Sequence, residues 1–311
     1  MPVFASERFL RLVGDEVGWL GGVDDRGSLR CILPYTVVHK GPFRLARFRV
    51  ETLPVNGTLD VEEERQFLES AMVHLRTLGA DMVIPASTNA IFRTFPAGAD
   101  AAPYGTYVID LSLPQETLWN NVQARNRSKI TSAERHGITI CEGIEYLDLA
   151  HRIIGATLAR SKLRFMSPVA FSNYVTGLGD AVKLLVAFAG NEPQGCIVVP
   201  YSDYAAYYVY GGSAEKPHSG AMSLLHWEAM RRFRALGVQR YDFVGVRIDP
   251  ERGSKQEGLK AFKERFGGSL VRGYLWKYRI SSVKFAIYNL AMRFQRGGDI
   301  VDAERNKLAP G

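Results

Sequence analysis

Residues 241–268 read YDFVGVRIDPERGSKQEGLKAFKERFGG, and they set the frame for everything upstream. A short β-rich run, Arg240 to Val246, passes into a polar loop carrying Pro250 and Gly253, the punctuation of a strand leaving a sheet. A helix is expected from Gln256 to Arg265, because Leu259, Phe262 and Phe266 recur at helical spacing and Gly267-Gly268 closes the run as a C-cap pair does. Lys263 falls beside that apolar stripe, not on it.

A second dense stretch lies upstream. Thr106 to Ile140 reads TYVIDLSLPQETLWNNVQARNRSKITSAERHGITI. It contains an apolar strand ending at Asp110, a helix expected from Pro114 to His136 with Trp119 inside it, a basic Arg/Lys segment, and a stop at Gly137. Between and before these stretches the pattern alternates strands and helices. Strands are expected at Leu29–Val38, Phe43–Thr52 and Met82–Pro85. A helix is expected over Asp60–Leu78, which begins acidic and ends at Gly79 as the helix dipole favours. A helical turn near Thr88–Phe95 and a loop, PAGADAAPYG, precede the strand Thr106–Leu111. Downstream come helices at Leu147–Leu163 and Pro168–Gly177, then strands at Val182–Ala189, Gly195–Tyr201 and Tyr204–Tyr210. The helix Ala221–Leu236 follows, with a core stripe of Leu224, Leu225, Ala229, Phe233 and Leu236.

The Tyr241–Gly268 and Thr106–Ile140 segments resemble the Fem family, aminoacyl-tRNA-dependent transferases that add amino acids to peptidoglycan precursors. The shared features are the "YDF.G" strand before a "GL..FK..FGG" helix, and the aspartate-ending strand before a Trp-containing helix and "A..HG" stop. The resemblance covers most of the chain from about Asp81 to Tyr278 and is weak before it. It implies two tandem GNAT-like α/β domains, with mixed, largely antiparallel sheets flanked by helices. The expected division is residues 1–143 and 144–280, with a C-terminal helix, 281–311, packing back on the first domain. The coiled-coil insertion that some Fem proteins carry has no counterpart.

At 311 residues, 46% apolar and 23% charged, the chain is large enough for one or two real cores. No run reaches the ~20 apolar residues of a membrane helix, and the N-terminus lacks a signal-peptide core, so cytoplasmic residence is the expectation, either free or at the inner face of the membrane. Cys31, Cys141 and Cys196 are far apart with no metal-ligand or redox spacing, which points to reduced thiols and no metal site. The net charge of +7 favours a polyanionic partner: nucleic acid, a phosphate-bearing substrate or an anionic membrane. Part of the excess sits in Arg125, Arg127, Lys129 and Arg135, and part in Arg231, Arg232, Arg234 and Arg240; such clusters are either solvated helix faces or RNA contacts.

Transfer of an amino acid already esterified to tRNA needs no cofactor, covalent intermediate or metal; it needs positioning, proton removal and oxyanion stabilisation. The resemblance places the family's functional "FK" pair on Phe262 and Lys263. Without the motif, Lys263 would read as an exposed surface lysine beside a core phenylalanine. Asp110 has two readings, a carboxylate that orients or deprotonates the attacking amine and a loop anchor. Tyr104 and Tyr107 either line the same cleft or belong to the core. Tyr208 and Tyr210 are expected on one face of a strand and Tyr207 on the other, and Tyr241 belongs to the signature itself. Arg160 and Arg164 resemble the family's basic residues for the pyrophosphate of the precursor. The family's second arginine and tyrosine are replaced around Met166-Ser167-Pro168, and its N-terminal Trp/Lys motif is not recognisable around Trp19.

The implied partners are therefore aminoacyl-tRNA and an amine of a nucleotide- or lipid-linked peptidoglycan precursor or other peptide. The terminal amphipathic helix, SSVKFAIYNLAMRFQRGG, reads either as packing or as a surface element at a membrane; the first is preferred. The rival activity is N-acyl transfer from acyl-coenzyme A, for which GGSAEKPHSGAM before Ala221 occupies the place of a phosphate loop without its basic-Gly-Gly pattern. A non-catalytic RNA-binding or scaffold protein explains the charge but not the paired motifs.

Overall fold

Ser6, Asp60, Ser167 and Ser254 each cap a helix start with a side-chain oxygen in the computed structural model. It describes residues 1–85, 88–296 and 298–308. After α1 (Glu7–Val13), capped by Ser6, come β1 (Glu16–Val23), β2 (Leu29–Lys40), β3 (Phe43–Phe48) and β4 (Leu53–Pro54). Asp60 then caps α2 (Val61–Thr77) by accepting from the Glu62 amide, and β5 (Met82–Val83) and β6 (Asp100–Asp110) follow. Two helices, α3 (Gln115–Asn121) and α4 (Ala124–Arg135), stand where one was expected. Val122 is extended, and the Gln123 amide donates to the Arg265 carbonyl at 2.9 Å, a distant partner that breaks the run.

The chain continues through β7 (Ile138–Glu142), α5 (Leu147–Ala159), α6 (Pro168–Leu178), β8 (Val182–Ala189), β9 (Glu192–Pro200), β10 (Ala206–Tyr207) and β11 (Tyr210–Ser213). It ends with α7 (Ala221–Ala235), β12 (Arg240–Asp242), α8 (Lys255–Glu264), β13 (Ser269–Arg279), α9 (Ser282–Arg296) and α10 (Ile300–Leu308). No helical turn forms at Thr88–Phe95, where Phe92 instead bridges Tyr274 in antiparallel fashion. The expected PAGADAAPYG loop is half strand, since β6 already begins at Asp100.

The chain forms two compact units that interleave along the sequence. One comprises Met1–Val3, Tyr107–Val244 and Glu251–Leu270; the other Phe4–Thr106, Gly245–Pro250 and Val271–Gly311. The expected cut at 143/144 thus falls within the first unit.

In the unit that contains Tyr107–Val244, an antiparallel sheet runs β11-β9-β8-β7, and the end of β6 pairs with β12, which pairs in parallel with β10. Leu184, Val186, Cys196 and Val198 pack with Ala150, Ile154, Phe171 and Val175 from α5 and α6. The alternate residues Leu185, Ile197 and Val199 are equally buried, so both faces of this sheet are covered. The strand expected over Tyr204–Tyr210 is interrupted at Tyr208-Val209: β10 follows β12, whereas β11 joins β9.

In the other unit the order is β1-β2-β3-β5-β13-β6, with β4 on β2. Its core joins Leu33, Phe48, Leu68, Met72, Phe92 and Trp276. α9 lays Phe285, Tyr288 and Met292 on Leu45, Met82 and Ile84. The fully buried Lys277 of β13 is held by Asp299 at 3.0 Å and Asp302 at 2.7 Å, which ties the start of α10 to the sheet.

Candidate active site

Lys263 is buried, 8% exposed, and this overturns the reading of it as a surface lysine. Two local devices fix its helix. Ser254 caps α8 by accepting from the Glu257 amide at 3.2 Å, while the Glu257 carboxylate accepts from the Gly253 amide at 2.7 Å, a reciprocal arrangement close to a capping box. At the far end Gly267 has φ 78°, and a Cβ there would lie 2.2 Å from the Asn121 carbonyl oxygen, so only glycine closes this helix. The inward face of α8 carries Phe262 and Lys263, with Phe266 packing on Phe262 just past its end, while Leu259 of the expected stripe is 46% exposed.

The Lys263 ammonium donates to the main-chain carbonyl of Val244. Val244 has φ 48°, a left-handed conformation that a β-branched side chain adopts only under strain. The turn is held by Asp242, whose Oδ1 accepts from the Val244 amide at 2.7 Å and whose carbonyl accepts from the Tyr208 amide at 2.8 Å. Burial pushes the Lys263 pKa down to about 8, and the Asp242 charge partly offsets it. Near neutrality Lys263 is mostly cationic yet close to its titration point, which suits stabilisation of a developing oxyanion in a site poor in water.

Beside it lies His226 of α7, fully buried. Its ring meets Tyr208 at 4.4 Å, Phe243 at 5.2 Å, Phe262 at 5.4 Å and Phe266 at 5.7 Å. Nδ1 and the Tyr241 hydroxyl share a hydrogen bond of 2.8 Å, and Nε2 is buried with no hydrogen-bond partner among the described residues. Burial first, and the Lys263 charge second, push the His226 pKa down to about 3, so this imidazole is neutral at any working pH. Burial likewise pushes the Tyr208 and Tyr241 hydroxyls well up. The one signal for His226 in the sequence is a polar residue within the apolar stripe of α7.

Of the residues expected to form the site, Phe262, Lys263, Tyr208 and Tyr241 come together. Tyr210 does not share a face with Tyr208, because the strand changes sheets between them; its ring packs on Phe165 at 5.4 Å and Tyr174 at 5.7 Å. Tyr107 is core, its carbonyl accepting from the Phe243 amide at 3.0 Å. Tyr104 is buried among Ile91, Ala102, Leu275 and Val301 in the other unit, and burial pushes its hydroxyl up to about 12.

Asp110 is exposed, and its Oδ1 accepts from the Ser112 amide at 3.0 Å and hydroxyl at 2.6 Å, holding its pKa below the usual range. That geometry is a loop anchor's. Arg160 turns back on the end of α5, donating to the Ser213 carbonyl at 2.9 Å and Thr157 Oγ1 at 3.0 Å, whereas Arg164 is exposed. The second basic cluster is engaged with protein: Arg231 and Arg232 with Glu228, Arg232 also with Glu142, Arg234 with the Leu113 carbonyl, and Arg240 over the Tyr204 ring.

The backbone that opens α7 lies against α4. Gly220 has φ 103°, and a Cβ there would stand 2.3 Å from the Lys129 carbonyl oxygen. That oxygen places the negative end of a peptide dipole at the helix start, where an anion would otherwise be welcome. A groove of about 550 Å³, lined by Trp19, Gly22, Arg30, Glu63, Phe67 and His74, belongs to the other unit and contains none of the residues above.

Residues 120–264, which span α4 to α8 and include His226 and Lys263, match the family model for the acetyltransferase (GNAT) domain. The fold is Fem-like, and the matched domain is that of a GNAT acyltransferase. Over 91% of this chain and 94% of the other, the structure resembles FemX, at 15% identity and a TM-score of 0.68. The C-terminal domain of a protein assigned as a lysylphosphatidylglycerol synthetase from Agrobacterium fabrum matches over 92% and 96%, at 15% identity and a TM-score of 0.55. A tandem GNAT protein from the clavulanic acid biosynthesis pathway matches over 88% and 86%, at 14% identity and a TM-score of 0.51. No curated protein matches the chain in sequence. The GNAT domain therefore contains the buried lysine, and the fold extends over both units. Among the described residues no helix is long and apolar enough to cross a membrane.

Proposed function

We propose that this chain is an aminoacyltransferase that moves an amino acid from tRNA to an amine of a peptidoglycan precursor or similar peptide. The observation that carries the reading is Lys263, a buried cation beside an aromatic cluster, held by the strained Val244 carbonyl. In the reaction the amine nitrogen attacks the ester carbonyl and a C–N bond forms. The resulting oxyanion is stabilised by the Lys263 ammonium; its collapse breaks the ester C–O bond, and the ribose hydroxyl leaves with a proton originating on the amine. Phe262 and Tyr208 pack on the His226 ring and keep this part of the unit apolar. His226, neutral and hydrogen-bonded to Tyr241, sets the ring packing against Phe262. Of the two arginines, Arg160 is engaged with Ser213 and Thr157, and the exposed Arg164 is the one this reading assigns to a phosphate of the acceptor.

Three further observations favour tRNA over coenzyme A as the donor carrier. The start of α7 faces the Lys129 carbonyl oxygen, which disfavours a pyrophosphate there, and the preceding loop lacks the basic-Gly-Gly pattern. The net charge of +7 suits a polyanionic donor. The test is transfer from radiolabelled aminoacyl-tRNAs measured against transfer from radiolabelled acetyl-coenzyme A, with a cell-wall precursor extract as acceptor.

A further inference from the structure

α9 has two apolar faces, and only one of them is used by the fold. Phe285, Tyr288 and Met292 pack on Leu45, Met82 and Ile84. Half a turn away, Val283, Ile287, Leu290 and Phe294 recur at i, i+4, i+7 and i+11 and are 71%, 54%, 57% and 84% exposed. Ala286 and Ala291, also exposed, complete the stripe. Single exposed apolar residues are ordinary; a continuous helical stripe of them marks a contact surface.

The charges around the stripe say what the contact is. From Arg279 to Arg296 the sequence carries Arg279, Lys284, Arg293 and Arg296 and no Asp or Glu. At about 100° per residue, Lys284 and Arg293 fall on the two shoulders between the buried and exposed faces. Lys284 reaches Asp81 at 2.9 Å, Arg293 is exposed, and Lys40, from the end of β2, lies over the Tyr288 ring at 5.6 Å. An apolar stripe with cationic shoulders is the layout of a helix lying in a bilayer interface, its long basic side chains reaching the headgroups. A second copy of the chain seated on this face would bring the same cations together, which disfavours it.

We propose that α9 docks this protein on an anionic phospholipid surface, with Val283, Ile287, Leu290 and Phe294 in the acyl boundary and Arg293 and Lys40 at the headgroups. This proposal is independent of which donor the GNAT domain uses. The test is co-sedimentation of the purified chain with vesicles of phosphatidylcholine alone and of phosphatidylcholine with roughly a third phosphatidylglycerol, at low and high salt. The expected result is binding to the anionic vesicles only, weakened by salt. Binding should fall at least about tenfold in an Ile287→Asp/Phe294→Asp variant whose melting temperature is unchanged, and several-fold in Arg293→Glu. Absence of binding to the anionic vesicles overturns the proposal, as does undiminished binding by the double variant. So does self-association in solution that Ile287→Asp abolishes in a chain that ignores vesicles, since the face would then belong to a second copy.

Discussion

Lys263 and Val244 hold each other in place: the lysine ammonium donates to the valine carbonyl, and the valine stands at φ 48° to present it. A buried cation and a strained backbone each cost stability, and their direct contact is what makes this a candidate functional site.

Removing the charge should separate these two roles. Lys263→Met keeps the bulk of the side chain and removes the cation, so kcat/KM for acyl transfer should fall by about 10²–10³ while the fold persists. Circular dichroism together with steady-state kinetics checks both halves.

The same residue makes stability depend on alkaline pH. Its folded pKa of about 8 lies below its ordinary 10.5, so between those values the unfolded chain binds more protons and stability rises with pH. Below pH 8 the contribution is a constant penalty. The difference corresponds to about 3 kcal/mol from pH 8 to 10.5, and Lys263→Met should lack this rise when urea midpoints are compared across that window.

Val244→Gly should behave unlike an ordinary truncation. At a half-buried position with ordinary backbone angles the change would lose about 1 kcal/mol or more; here relief of the left-handed strain offsets that loss. Urea unfolding should show a stability no lower than the parent's, with transfer weakened because the Lys263 anchor is no longer rigid.

Tyr241→Phe deletes the hydroxyl that meets His226 Nδ1 and leaves the imidazole buried without that partner. A loss of about 1–3 kcal/mol is expected. A His226→Leu/Tyr241→Phe double variant should recover part of it, which a double-mutant cycle would measure.

In the other unit, Asp302→Ala should cost about 3–5 kcal/mol, because Lys277 has no exposed surface and would keep an incompletely compensated charge. Lys277→Met/Asp299→Asn/Asp302→Asn, which removes the whole ion cluster, should cost less than the single change.

Local signals carried much of the fold into view. Asp60 reads as a helix start and does cap α2, the strand at Val182–Ala189 is continuous, and α8 begins and ends within one residue of its apolar spacing. What sequence spacing could not carry were long-range partners. The break between α3 and α4 depends on the Arg265 carbonyl, and the interruption at Tyr208-Val209 depends on β12 and β9 competing for one segment. Pro103 and Gly105 read as a loop, yet β6 runs through both. The motif drew attention to Lys263, but nothing in its spacing shows that the side chain turns inward. That follows from the Val244 carbonyl waiting behind it.

The most direct measurement is single-turnover transfer from radiolabelled aminoacyl-tRNA, beside radiolabelled acetyl-coenzyme A, to a cell-wall precursor extract, with parent and Lys263→Met chains. The account predicts transfer of the aminoacyl group alone, lost in the variant. Acetyl transfer with indifference to every aminoacyl-tRNA, or full aminoacyl transfer by Lys263→Met, would contradict it.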